Sequence, residues 1–308
     1  MALLYIKEEH RWPKVSIASS PHSDLTPETK IEVNLKGVAR TCLLTLIARG
    51  YDNTFPRPIL GDPYAKDVLE KLSIPAIPMT DFQKRSIVLR TYQFDLWTSS
   101  FLQKNSNATI LHLACGFDSR MQRVQWGENT RWIDIDLPEV IHLRKQTQPT
   151  SFPDRDYSLL GVDVLDENWM LDLGDISGPV LVIMEGLLPY FREEEMNKLL
   201  QRICQTFPRG EMLFEGIGSA AIEFFNRSGW MNSVTDMRAK FQSSLDDPMV
   251  LEDLDPHLKL VESVPVIQAS GVERFPLLTR IWMYLTSWSA SARDSARLLR
   301  FRFGQEKT

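Results

Sequence analysis

The sequence predicts a doubly wound α/β fold, and three observations carry that expectation. Apolar runs of strand length recur at 109–113, 131–135, 157–162, 180–184 and 211–215, with helical patterns between most of them. That alternation is the signature of a largely parallel sheet wrapped by helices. The run at 109–113 stops at the small residues Ala114, Cys115 and Gly116 and passes through Asp118 into a helix-like segment. A strand that ends in a tight turn and feeds a helix brings backbone N–H groups against a ligand. The ends of the next three runs each carry an acid, in the order Asp136, Asp163 and Glu185.

Taken in order, residues 1–30 are polar and punctuated by proline, and are expected to form an arm. A helical pattern follows at 31–50, with apolar residues at Val38, Cys42, Leu43, Leu46 and Ile47 and Gly50 as its C-cap. The 55–58 segment, Phe-Pro-Arg-Pro, breaks the chain. Asp62-Pro63 then reads as an N-cap with proline at the first helical position. A second break at 74–78 precedes a long helix from about 81 to 103. Weaker strand-like runs lie at 258–264 and 280–286. Residues 216–256 interrupt the rhythm, hold Phe224, Phe225, Trp230 and Met231, and are expected to form a helical cap. The organisation expected is therefore N-terminal helices over 1–104, a ligand-binding α/β unit over 105–288 with the cap inside it, and an arginine-rich polar tail over 289–308.

Composition narrows the class. Hydrophobic residues are 43% and charged residues 24% of 308, ordinary for a globular protein with a sizeable core. A net charge of −5 lacks the basic surplus of a general nucleic-acid binder, so no nucleic-acid partner is expected. No run reaches the ~20 apolar residues that cross a bilayer, and no membrane partner is expected. Residues 1–6 are too short an apolar run, and too closely followed by charge at 7–11, for a secretory signal. With three widely spaced cysteines, Cys42, Cys115 and Cys204, this points to a reducing, cytoplasmic setting without a disulfide framework. His112 and Cys115 have no clustered partners, so no metal site is expected.

The turn at 114–116 lacks the three glycines of a dinucleotide fingerprint: Ala114 stands at the first position and Ser119 at the third. A pyrophosphate needs that close approach, and a ligand without phosphates does not. Asp136 follows Gly116 by twenty residues, the distance at which an acid accepts both ribose hydroxyls. Asp134 shares its side of the strand by the period of two, and the residues alone do not choose between them. Asp118 also fits a helix cap, and the Glu193–Glu195 run fits a helix start, where acids complement the dipole.

Five segments in fixed order resemble the leucine carboxyl methyltransferase family of S-adenosylmethionine-dependent enzymes, nearest to its tetracenomycin-type polyketide O-methyltransferases. They are Val-Ala-Arg-Thr at 38–41, Leu-Arg-Thr-Tyr-Gln-Phe-Asp at 89–95, Leu-Ala-Cys-Gly-Phe-Asp-Ser-Arg at 113–120, Asp-Ile-Asp-Leu-Pro at 134–138 and Glu-Gly-Leu-Leu-Pro-Tyr at 185–190. The similarity spans about residues 33–215. The chain departs from the family at Cys115, where glycine or serine is common. The resemblance implies a class I methyltransferase fold with a Rossmann-like sheet, and S-adenosylmethionine as cofactor. It implies that Arg90 holds the methionine carboxylate, with Arg40 and Lys36 near that end. Ala114 and Gly116 would bring backbone against methionine and ribose, and Asp136 would take the ribose hydroxyls. Asp163 and the Val164 backbone would bind adenine, and Glu185 would line the methionine end and receive its ammonium.

The expected activity is O-methylation of a carboxylate or phenolic hydroxyl on a small molecule, a polyketide-type secondary metabolite. The chemistry is one of positioning, with Tyr190 and Glu185 as the candidate catalytic groups and Phe224 and Trp230 as acceptor contacts. The competing readings are a protein C-terminal carboxyl methyltransferase and an NAD-dependent oxidoreductase.

Overall fold

The computed structural model describes residues 30–228 and 240–305. The expected arm at 1–29 lies outside the described residues, as do Trp230, Met231 and 306–308. A seven-stranded sheet organises the chain. Its strands are β3 (Thr109–Leu113), β4 (Arg131–Asp136), β5 (Asp156–Gly161), β6 (Val180–Met184), β7 (Arg209–Ile217), β8 (Lys259–Pro265) and β9 (Ala296–Gly304). Their order across the sheet is β5-β4-β3-β6-β7-β9-β8. The first five are parallel, and β9 runs antiparallel between β7 and β8. From β3 the chain builds outward to β5, then returns to place β6 on the other side of β3. That reversal opens a crevice above the carboxyl ends of β3, β4 and β6, where open α/β sheets bind ligands.

Two apolar layers clamp the sheet. Side chains alternate across it by the strand period: Leu111 and Leu113 face helix α6 (Glu193–Thr206), with Leu199 and Ile203, and Ile110 faces helix α3 (Asp81–Lys104), with Val88 and Phe94. A third apolar cluster joins α1 (Cys42–Asp52), α2 (Pro63–Lys71) and α5 (Pro138–Thr147) through Leu43, Leu46, Val68, Val140 and Leu143. Of these helices α1 lines the crevice, through Cys42, Leu44, Thr45 and Arg49. Among the described residues, no helix is long and apolar enough to cross a membrane.

Local chemistry sets the helix ends. Asp62 caps α2 by accepting from the Tyr64 and Ala65 N–H groups, with Pro63 at the first turn. Thr80 and Gln83 exchange hydrogen bonds at the start of α3, the reciprocal arrangement of a capping box.

Four expectations need correction. The pattern at 31–50 is not one helix. Residues Ile31–Glu32 form strand β1 beside β2 (Leu72–Ser73), Gly37 turns the chain at φ +59°, and Gly37–Thr41 is a 3₁₀ turn. Gly50 is no C-cap: it lies inside α1, where a Cβ would meet Leu69 Cδ1 at 2.2 Å, so it is small because α2 crosses there. Residues 280–286 belong to a helix, α8 (Leu277–Thr286), rather than a strand. The missing strand is β9, inside the stretch expected to be a polar tail. Its arginines mask a period-two pattern in which Leu299, Phe301 and Phe303 are buried, and Arg300 is neutralised by a two-pronged bond to Glu211 at 2.7 and 2.9 Å. The expected cap region holds α7 (Ser219–Ser228) and a 3₁₀ helix, Pro248–Leu254.

Candidate active site

A cavity of about 1230 Å³ opens above the carboxyl ends of β3, β4, β6 and β7. Its floor is built by the turns after those strands. Ala114 and Gly116 both take left-handed backbone, at φ 52° and 51°, which folds the chain back beneath the cavity. A Cβ on Gly116 would lie 2.8 Å from Cys42 Cβ, so glycine is what lets α1 close on the turn. The turn's amides, however, are spent within the protein. Cys115 N–H donates to Ile135 O, Gly116 N–H to Asp136 Oδ2 at 2.7 Å, and Asp118 N–H to Cys115 O. The expectation of N–H groups aimed at a ligand is corrected for these residues: the turn offers closeness rather than donors.

The two candidate acids of β4 separate cleanly. Asp134 is fully buried, ion-paired with Arg144, and accepts from Trp132 Nε1 and Tyr157 Oη. Asp136 lines the cavity and accepts from Gly116 and Leu137 N–H groups, both at 2.7 Å. Burial raises its carboxyl to about 6, with these two donors working against the rise. Asp163 is exposed at the cavity edge, held by the Leu165 N–H at 2.9 Å, and Val164 lies beside it.

On the other side, α3 inserts Arg90 and Thr91 between the ends of β6 and β7. Arg90 Nε donates to Glu185 Oε1 and Arg90 Nη1 to Glu215 Oε1, each at 3.1 Å. Thr91 Oγ1 also donates to Glu185 Oε1, and Arg120 Nη2 donates to Oε2, at 2.7 Å each. Burial opposes the charge on Glu185, but Arg90 and Arg120 more than offset it and bring the carboxyl down to about 2. Glu185 thus lines the cavity with both oxygens engaged by arginines, and Oε2 accepts from Arg120 alone. Beneath it Arg120, Arg123, Asp95, Asp118 and Asp62 form a buried ionic lattice. That lattice gives the Asp-Ser-Arg segment at 118–120 its structural reason.

Tyr190, on the 3₁₀ turn Leu188–Tyr190, forms the upper wall with Phe241 and Phe225, at ring distances of 5.2 and 5.9 Å along the series. Burial pushes its hydroxyl up to about 12, so it stays protonated at neutral pH. Phe224 does not share this role. It is 68% exposed, whereas Phe225, one helical step of about 100° away, lines the cavity. Arg40 sits half-buried on the Gly37–Thr41 turn, whose Gly37, Val38, Ala39 and Thr41 are the lining residues instead.

Two buried charged lining residues escaped the sequence reading. Arg49 of α1 is buried, with Nε and Nη2 lacking hydrogen-bond partners and Asp62 3.8 Å away. The stripe Cys42, Thr45, Arg49 at helical spacing, polar where a core helix is apolar, is the signal that could have found it. Glu215 of β7 is buried, and its position directly after the apolar Met212, Leu213 and Phe214 was the equivalent clue.

Comparisons with known proteins give the family of the chain. The family model of leucine carboxyl methyltransferase matches residues 43–204. The tetracenomycin polyketide synthesis O-methyltransferase TcmP of Streptomyces glaucescens is 35% identical over 233 residues, 75% of this chain and 83% of that protein. The S-adenosyl-L-methionine-dependent methyltransferase dpfgK of Gibberella zeae is 35% identical over 255 residues, covering 77% and 85%. Among solved structures, magnesium protoporphyrin IX methyltransferase from Synechocystis PCC 6803, with bound S-adenosylhomocysteine, aligns over 84% of this chain and 99% of that one, at 13% identity and a TM-score of 0.46. The NAD-dependent alternative is thereby overturned. This chain belongs to the leucine carboxyl methyltransferase family and is an S-adenosylmethionine-dependent methyltransferase with the doubly wound class I fold.

Proposed function

We propose that the chain methylates an oxygen, a carboxylate or phenolic hydroxyl, of an apolar small molecule of polyketide type. The observation that carries this reading is one cavity of about 1230 Å³ with two characters. Asp136, Asp163 and Glu185 line it at the ends of β4, β5 and β6, and Phe82 of α3, Tyr190, Phe225 of α7 and Phe241 give it aromatic walls. Small-molecule pockets measure about 300–1,000 Å³, so this volume suits a cofactor and an acceptor together. The similarity to TcmP, whose name gives a polyketide setting, supports the same class.

In this reading Asp136 takes the ribose hydroxyls, Asp163 and the Val164 backbone take adenine, Ala114 and Gly116 admit the ligand closely, and Arg90 faces the methionine carboxylate. The buried, partnerless donors of Arg49 and the closely packed Gly116 turn fit such a ligand. When bound, S-adenosylmethionine supplies a methyl group on a positively charged sulfur. The chain's residues orient the parties and exclude water. Positioning of this kind can supply ~7–11 kcal/mol. Neither candidate base competes for the role: Tyr190 stays protonated and Glu185 stays locked to arginines at neutral pH. An acceptor carboxylate needs no base, being already ionised.

The test supplies tritiated S-adenosylmethionine to the full chain with aromatic phenols, aromatic carboxylic acids and peptides ending in leucine. Label in an aromatic small molecule is expected. Label confined to the peptide carboxylate would overturn the reading in favour of protein methylation.

A further inference from the structure

Helix α8 presents its apolar face outward. At about 100° per residue, Leu277, Leu278, Ile281, Trp282, Tyr284 and Leu285 fall within an arc of roughly 160°, and all six are exposed. Met283, the one buried residue of the helix, lies opposite that arc and packs into the apolar layer beside the sheet. Trp288, just beyond the helix and 72% exposed, extends the arc, and its ring meets Tyr284 at 5.6 Å. A surface helix ordinarily turns its apolar stripe to the core and its polar residues to water. Elsewhere along the described chain, exposed large apolar side chains stand singly or as one pair, Met249 and Val250, which is ordinary.

The extent of this face marks it as a contact surface. Seven such side chains, about half to four-fifths exposed, present on the order of 800 Å². The largest apolar patch of a monomer is about 300–600 Å², and a stable interface takes about 800 Å² from each partner. Its chemistry selects the kind of partner. From 275 to 292 the chain holds one charged residue, Arg280, at the edge of the arc. A helix that lies on a lipid surface is rich in lysine and arginine along its polar side, and this one carries a single arginine. Tryptophan, tyrosine and arginine without lysine, aspartate or glutamate is instead the composition of a protein interface core. A two-fold contact sets a patch against its own copy, so like charges within it would meet. A face without charge escapes that repulsion and complements itself.

We propose that α8 and Trp288 form a two-fold interface through which two copies of this chain pair. The face adjoins the site. Trp282 meets Phe82 edge-on at 5.4 Å, and Phe82 lines the cavity. The second copy thus sits beside the aromatic wall and covers the edge that Phe82 contributes to it.

The test is sedimentation velocity of the full chain at micromolar concentration, with far-ultraviolet circular dichroism of each variant. The wild type should sediment as a dimer. The double variant Leu278→Glu/Leu285→Glu should sediment as a monomer with its circular dichroism unchanged, since both side chains are exposed. Leu278→Glu alone, at the 80% exposed position, makes the smallest demand on the fold. It should weaken dimerisation at least about tenfold, because like charges then meet across the two-fold contact. Leu171→Glu, 78% exposed and outside this helix, should remain a dimer. A monomeric wild type overturns the proposal, and flotation of that monomer with phosphatidylcholine–phosphatidylglycerol vesicles assigns the face to lipid instead. A dimer that Leu278→Glu leaves unchanged, or that Leu171→Glu weakens equally, overturns it as well.

Discussion

Asp136 shows how a single carboxylate can couple the site to pH. Its carboxyl rises from 3.8 to about 6 because burial outweighs the donors at Gly116 and Leu137. The folded chain thus holds that proton more tightly than the unfolded chain. Its contribution to stability is full below pH 4 and is lost as pH rises through about 6. Binding has the opposite dependence, since ligand hydroxyls need an ionised acceptor. On the proposed role, affinity for S-adenosylhomocysteine should climb from pH 5 to pH 7 and then level off. Asp136→Asn should bind at least about tenfold more weakly with a flat profile. Calorimetry across that range checks both, and a flat wild-type profile would remove Asp136 from the ribose. This residue was legible because strand ends announce themselves where apolar runs stop. Glu215 and Arg49 were not, because Glu215 closes a run that also opens on an acid, Glu211, and Arg49 lies inside a helix, where an isolated charge reads as an ordinary surface or ion-pair residue. Phe224 was chosen over Phe225 because a sequence gives helical period without absolute phase.

Among elements, α3 has the largest task. Arg90, Thr91 and Asp95 leave it for Glu185, Glu215, Arg120 and Arg123, while Val88, Leu89 and Phe94 pack into the apolar layer. A helix buried on several sides has little one-sided apolar contrast, yet its cap and length were readable from Thr80 and the run to Lys104. Thr80→Ala removes the side-chain acceptor for the Gln83 N–H. Thermal or chemical denaturation should show a loss of about 1 kcal/mol, with cofactor affinity unchanged because Arg90 is held by its own ion pairs. The misreading of α8 has a different cause. Its Ile281, Trp282 and Tyr284 are strand formers by preference, but Pro276 precedes it and only Met283 is buried, so no neighbouring strand recruits it.

At the scale of the molecule, the parallel half of the sheet was visible in the sequence, as was β8 in the weaker run at 258–264, and β9 was not. Parallel strands buried on both faces read as continuous apolar runs, as in β3 and β6, whose residues are all buried. β9 alternates apolar residues with arginines, and its pairing to Glu211 depends on a partner 89 residues away. Phe301 of β9 is fully buried and stacks on Phe214 at 5.4 Å. Phe301→Ala should therefore cost about 3–5 kcal/mol, read as a lowered denaturation midpoint, and any variant that still folds should keep its cofactor selectivity. The strand order also fixes a sequence of events. β8 touches the sheet through β9 alone, yet it is synthesised first. During translation β7 can join the growing parallel sheet as soon as it emerges. β8 must wait without a sheet partner until β9 arrives to seat itself against β7, and so the antiparallel edge is the last part of the sheet to close, after every aromatic residue of the cavity wall has been made.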